Sequence, residues 1–312
     1  MNKDNQIFIS ISQIAILIGE SPFGSLSDII YTLWVKVDNN NYKKRKLELE
    51  SKYDKSFENL SEWNKLEILS KELGLDTLSQ KTEKAMKNDN HKSLLDEQTA
   101  IIRDINQVER KDIEDLEQKK NTLSKLVNSF SNRGFGNNHE ISAIDLYCKL
   151  TNSKIIDQQK IVIGKIKKVN DTEWFIKGKI DGIATDSSGN TSLIEIKNRT
   201  KSLFGYLKDY EKPQIQTYMK LLNLNKGYMV EYLKQKQNQN QNDNNMNNMN
   251  IIKVKFDESY WDFIKKRLLQ FIKFFYHFLE NDDLQKLILF NNININDENE
   301  KIIRDTLEIY FI

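Results

Sequence analysis

Apolar residues recur at helical spacing, among many charges and without proline, from residue 43 to 130, as in "LLDEQTAIIRDINQVERKDIEDLEQKKNTLSKLVNSF". This pattern predicts helices, a hairpin or an arm, whose charged side is a solvated face. A second helical stretch, "NNHEISAIDLYCKL", opens with Asn138 in the N-cap position. Its Ala143, Ile144 and Tyr147 lie three, four and seven residues after Glu140, so that glutamate shares the packed face. A carboxylate on a core-facing stripe needs a partner.

The pattern then changes to alternation. Three strands are predicted at 161–169, 173–185 and 191–198, the last two joined by the turn-forming "DSSGN", so that they make an antiparallel meander. In the second, Trp174, Ile176 and Ile180 share one face, and Lys177, Lys179 and Asp181 share the other. In "SLIEIKNRT", Ile194 and Ile196 point one way, and Glu195 and Lys197 the other. The hairpin thereby sets Asp181 near Glu195. Pro213 opens the helix "PQIQTYMKLLNL", where proline is best tolerated. Strands "GYMVEYLK" and "IIKVKF" flank a low-complexity polar tract, read as a solvated loop, and Trp261 to Leu279 form an amphipathic helix.

The order of helix, three strands, helix and strand predicts an α/β core. Residues 1–42 form its N-terminal part, 43–130 a charged helical insertion, and 131–312 the remainder, with an Asn-rich loop at 235–250 and C-terminal helices.

Composition narrows the class. A chain of 312 residues with 38% hydrophobic residues can bury a substantial core, and no stretch is apolar enough to predict a membrane span. The single cysteine, Cys148, excludes an intramolecular disulfide or a cysteine zinc cluster, and the start "MNKDNQIFIS" lacks signal-peptide character, so a reducing intracellular compartment is expected. Net charge is only +2, yet residues 151–235 hold fifteen Lys and Arg against nine Asp and Glu. Carboxylates in a basic neighbourhood suit a site that holds metal through its acids and phosphate through its surroundings.

An E-x-K triplet by itself means little here, since Glu50-Ser51-Lys52 and Glu117-Gln118-Lys119 are others in charged helical regions. The copy at 195–197 differs because it lies on an apolar strand beside Asp181 and after a helix presenting Glu140. Asp181 and Glu195 can share a hard cation such as Mg²⁺, with Glu140 in the same site or a neighbouring one. Lys197 can orient or deprotonate an attacking water, or stabilise charge in the transition state.

The order Glu140, Asp181-Gly182, Glu195-Ile196-Lys197 and Gln214-Ile215-Gln216-Thr217-Tyr218 resembles the PD-(D/E)XK nuclease superfamily, in its YqaJ-like, lambda-type exonuclease branch. "ISISQIAILIGESPFGSLSDIIYTLW" resembles that branch's opening helix and Gly-x-Ser-Pro turn, with Ser12, Gly19, Ser21 and Pro22 in family-like places. The resemblance covers roughly 10–36 and 131–233. It implies a restriction-endonuclease-like core and a viral-recombinase type of enzyme. It further implies Mg²⁺ or Mn²⁺ held by Asp181, Glu195, the Ile196 carbonyl and Glu140, a catalytic Lys197, and Gln214 and Tyr218 supporting the site and contacting DNA. His139 rivals Glu140, because RecB-type relatives use a histidine in the corresponding helix. Ser12, Ser21, Arg199 and Lys201 are the expected DNA contacts. The implied substrate is linear duplex DNA, with a single-strand annealing partner and a homo-oligomer as candidate associations and no membrane partner. The lambda-type arginine that grips a 5′-phosphate is absent from the N-terminal segment. A structure-specific endonuclease on the same core, or a non-cleaving DNA-binding recombination partner, are the rival expectations.

Overall fold

The alternating segments build two sheets rather than one continuous meander. The computed structural model describes residues 6–53, 62–87, 91–110, 112–113, 115–200, 202–233, 248–293 and 297–311. In chain order, β1 (Gln6–Ser10) precedes α1 (Ile14–Leu17), α2 (Leu26–Val37), α3 (Asn39–Tyr53), α4 (Glu62–Glu72), α5 (Leu78–Met86), α6 (His91–Asn106) and α7 (Leu116–Thr151). Then come β2 (Lys154–Gln158), β3 (Ile161–Val169), β4 (Thr172–Lys179), β5 (Gly182–Thr185) and β6 (Thr191–Asn198). After these follow α8 (Lys212–Leu222), β7 (Lys226–Tyr232), β8 (Met249–Lys255), α9 (Glu258–Glu280), α10 (Asp282–Ile293) and α11 (Asp297–Ile309).

One sheet has the order β1-β4-β3 and the other β2-β5-β6-β7-β8. The strand expected at 173–185 breaks at Ile180-Asp181: β4 pairs with β3, while β5 turns away to pair with β6. Ile180 still donates its N–H to the Lys160 carbonyl at 3.0 Å, and Gly182 already faces Ile194, so Asp181 stands at the crossing between the sheets. The expected antiparallel meander is thus divided at Asp181. β6 and β7 are parallel and joined through α8, a helical crossover. β8 pairs antiparallel with β7, as expected, and residues 234–247 of the Asn-rich loop lie outside the described residues.

One helical expectation is refined and one changes. The segment 9–34 read as an opening helix and turn begins with the last two residues of β1, which lies parallel to β4, then turns helical at Ile11–Leu17 and again in α2. Asn138 is no N-cap, because α7 runs unbroken through it to Thr151 and ends at Asn152, which takes a left-handed conformation (φ 50°).

Three groups of buried side chains hold this together. α2, α8, α9, α10 and α11 pack on the inner face of β1, β4 and β3, where Phe275 and Phe278 of α9 meet Trp174 and Trp34 edge-on, with ring centroids 5.5 and 5.2 Å apart. α4 to α7 enclose their own cluster of Leu66, Leu94, Ile101, Leu123 and neighbours. Ala143, Ile144 and Tyr147, the stripe read beside Glu140, bury against Ile194, Ile196 and Val230. The five-stranded sheet is therefore covered on both faces near residue 195. Among the described residues no helix is long and apolar enough to cross a membrane.

Candidate active site

Glu195 does not lie on a solvated strand face. It is 2% exposed. Strand alternation turns Ile194 and Ile196 toward α7, so Glu195 and Lys197 point to the opposite face, where the first turn of α8 brings Gln214. Glu195 Oε1 accepts from Lys197 Nζ at 2.9 Å and from Gln214 Nε2 at 2.8 Å. Gln214 Oε1 in turn accepts from Lys197 Nζ at 3.1 Å. The amide presents its oxygen to the ammonium and its NH₂ to the carboxylate, closing a three-membered network. Glu195 Oε2 is buried and has no hydrogen-bond donor.

Asp181 reaches the same place from the crossing between the sheets, where its Oδ2 accepts the Ile196 N–H at 2.7 Å. Ile196 thus contributes its N–H to the site, whereas the expected metal ligand was its carbonyl. Glu140 comes from α7 on the far side of the sheet and accepts a hydrogen bond from Gln159 Nε2. The side chain of His139 lies outside the described residues.

The electrostatics follow from burial. It raises the carboxyls of Asp181 and Glu195 well above their ordinary range, against the pull of Lys197. Glu140 is raised as well, by burial and by Glu195, with Gln159 and Lys179 opposing. Burial lowers Lys197, but Glu195 and Asp181 more than reverse this and hold it above the usual lysine value. At neutral pH the group is an ammonium. Lys197 is therefore placed to donate or to stabilise charge.

Among the described residues no three His, Cys, Asp or Glu side chains converge as a complete metal cage. Asp181 and Glu195 are the pair that could hold a hard cation, with the unsatisfied Glu195 oxygen as the natural ligand atom. Two protein carboxylates suffice for Mg²⁺, which keeps waters and takes phosphate oxygens.

Tyr218 takes a different place from the one expected. It is 2% exposed, so it faces no DNA, and its hydroxyl donates to the Lys179 carbonyl at 3.0 Å, two residues before Asp181. Burial pushes its phenol up to about 12. The ring lies so near Gly178 that a Cβ there would stand 2.6 Å from its hydroxyl and 3.0 Å from Ile11 Cβ. Gly178 is the residue the sequence reading passed over, although an isolated glycine inside a strand signals a close approach. Gly178→Ala is expected to cost about 1–3 kcal/mol through overpacking. Thermal unfolding checks this, with Tyr218→Phe in the same background recovering part of the loss.

The expected DNA contacts divide. Ser12 is exposed, its hydroxyl 2.8 Å from that of Ser10. Ser21 is buried and turned inward, its hydroxyl bonding both the N–H and the carbonyl of Phe23 at 3.1 Å, so it closes its own turn. Arg199 is likewise not a free phosphate contact. Its guanidinium is spent on two buried carboxylates, Glu211 at 2.8 and 3.0 Å and Glu231 at 2.8 Å. Glu231 also accepts the Phe204 and Gly205 N–H groups, so this cluster anchors the loop between β6 and α8. Lys201 lies outside the described residues.

No family model matches the chain, and no curated protein matches it. Solved structures do resemble it. The crystal structure of an alkaline exonuclease (LHK-Exo) from Laribacter hongkongensis is 14% identical over 64% of this chain and 88% of its own, at a TM-score of 0.36. The same enzyme in complex with dAMP aligns at 0.33, and SSO0001 is 19% identical over 51% of this chain and 67% of its own, at 0.34. At TM-scores this low the likeness carries no argument for function, and the chemistry of the site must supply it.

Proposed function

We propose that this protein is a metal-dependent nuclease that hydrolyses DNA phosphodiester bonds, acting as an exonuclease on linear duplex in recombination or repair. The observation that carries the reading is the Glu195 carboxylate, sealed beneath the sheet with one oxygen held by Lys197 and Gln214 and the other without a donor, next to Asp181. A buried carboxylate oxygen left without a donor is costly for structure alone, and a cation removes that cost. When bound, Mg²⁺ or Mn²⁺ supplies Lewis-acid polarisation of phosphate oxygens. The protein's own parts do the rest. Gln214 fixes Lys197 relative to Glu195, Tyr218 and Gly178 hold the strand end that aims Asp181, and the Lys197 ammonium meets charge developing on the phosphoryl group. The family resemblance of Glu140, Asp181, Glu195, Lys197 and Gln214 supports the same assignment and adds the preference for duplex ends.

The test is digestion of a 5′-phosphorylated linear duplex beside a covalently closed circle, in Mg²⁺ and in EDTA. Metal-dependent loss of the linear DNA alone is the expected result. Cutting of the circle replaces the exonuclease with an endonuclease on the same core. If neither DNA is cut in Mg²⁺ or Mn²⁺, the nuclease reading is wrong and the chain is a DNA-binding partner.

A further inference from the structure

We propose that the outward face of the β1-β4-β3 sheet is a track for a single nucleic-acid strand, with phosphates on Lys177 and Lys179 and bases against the apolar side chains beside them. The track deepens the nuclease reading above and rests on it for its direction, toward Asp181.

The face is read from register. β4 buries Trp174 and Ile176 and turns Phe175, Lys177 and Lys179 outward. Across the strands, Phe175 stands between Phe8 and Lys165, Lys177 between Ser10 and Ile163, and Lys179 beside Ile161. The helices pack on the other side of this sheet, through Val162, Trp174 and Ile176. What remains outward is unusual for a water-facing surface: Phe8 is 37% exposed, Ile163 51% and Ile161 56%. Phe8 and Phe175 stack with centroids 5.3 Å apart, and Lys177 Nζ stands 5.6 Å over the Phe8 ring.

Charge selects the occupant. Lys165 is neutralised by Glu173 at 2.5 Å, but among the described residues neither Lys177 nor Lys179 is held in an ion pair. A protein partner would have to desolvate both lysines at the centre of the patch, where interfaces are poor in lysine. A single strand matches both chemistries at once, since its phosphates take ammonium groups and its unpaired bases take aromatic and apolar faces. A duplex hides its bases and uses only the lysines. Successive outward positions are about 7 Å apart along a strand, so Lys177 and Lys179 form one line on β4, and the chain reaches Asp181 two residues on, at the crossing between the sheets. Lys179 is the last residue of β4, and against the burial that raises both, its charge lowers the pKa of Asp181 and of Glu140, so the track ends beside the carboxylates.

The test is fluorescence polarisation of labelled oligothymidylate at several salt concentrations, in EDTA so that nothing is cut. Wild type is compared with Lys177→Gln/Lys179→Gln, with Phe8→Ala, and with Lys266→Gln at an exposed position of α9, all checked for folding by circular dichroism. The double variant is expected to lower the slope of log affinity against log salt by about 1.4, two contacts at about 0.7 each for single strands. Phe8→Ala should weaken binding about tenfold, as for a lost stacking partner, and Lys266→Gln should change neither. A double variant that keeps the wild-type slope, or loses no more than Lys266→Gln, overturns the track. Loss through the lysines with Phe8→Ala at wild-type affinity overturns the single strand in favour of any polyanion. Oligonucleotide that binds through these residues in a protein that cuts neither linear duplex nor closed circle in Mg²⁺ or Mn²⁺ sinks the nuclease reading and leaves the track standing. Cutting with unchanged binding in the variants removes the track alone.

Discussion

Lys197→Ala is expected to lower turnover about a hundred- to a thousandfold, the cost of removing one preorganised donor to transition-state charge, while leaving Mg²⁺ binding in place. The ammonium touches Glu195 Oε1 and Gln214 Oε1 and no other hydrogen-bond acceptor among the described residues, so it is positioned by the site rather than consumed by it. Burial opposes its charge, but Glu195 and Asp181 raise its pKa by more, which favours the ammonium form. Removing it takes away one positive charge and neither carboxylate. A divalent cation should therefore bind at least as well, read as the rise in melting temperature on adding Mg²⁺. If the lysine mattered only for holding Glu195 in place, turnover and this metal-dependent stabilisation would fall together. If Lys197→Ala cleaves like wild type, the proposed role of the ammonium is wrong even with the fold correct. Single-turnover measurement on a linear duplex separates the chemical step from binding.

The parts of this site that were legible in the sequence are those that depend on local alternation. A glutamate inside "SLIEIKN" must share a face with Lys197, and the helix opened by Pro213 must present Gln214 near its start; both relations hold in the structure. The stripe of Ala143, Ile144 and Tyr147 was readable for the same reason, and it is buried. What failed depends mostly on partners distant in sequence. The alternation of Trp174, Ile176 and Ile180 slips after the turn-favouring Asp181-Gly182, a local signal the strand reading ran through; the crossing itself follows from β5 pairing with β6 and from Tyr218 holding Lys179. Arg199 was read as a DNA contact because Glu211 and Glu231, its buried partners, lie twelve and thirty-two residues further on. Asn138 is a good cap residue, but the capping preference is worth about 1 kcal/mol. The flanking apolar residues of α7, Leu123 and Val127 before it and Ala143 and Ile144 after it, all bury while the helix stays continuous. Glu195 itself was read for its chemistry but not for its depth. Its burial gives the site its strongest thermodynamic signature.

That signature is an expected gain of stability when charge is removed. Two carboxylates, Asp181 and Glu195, share one ammonium, so the ionised site buries a surplus negative charge. Both acids have pKa values raised by burial, which means the folded state binds their protons more tightly than the unfolded chain, whose carboxyls titrate near 4. The sign follows from linkage. Below the ordinary carboxylate range both states are protonated and the site costs nothing, and as pH rises through the raised values the fold is progressively destabilised. Glu195→Gln leaves one carboxylate facing one ammonium. In EDTA this variant should melt a few degrees above wild type at pH 8, with the difference shrinking toward pH 5, the scale expected when about 1 kcal/mol is relieved in a chain of this size. Mg²⁺ should reverse the order at pH 8, because it stabilises only a site that retains both carboxylates. The same variant should fall to background in nuclease turnover. Calorimetry at the two pH values, with and without Mg²⁺, decides the matter. A Glu195→Gln protein that is less stable than wild type in EDTA at pH 8, or that keeps the full Mg²⁺ response, would mean that Glu195 is a structural partner of Lys197 and not half of a cation site.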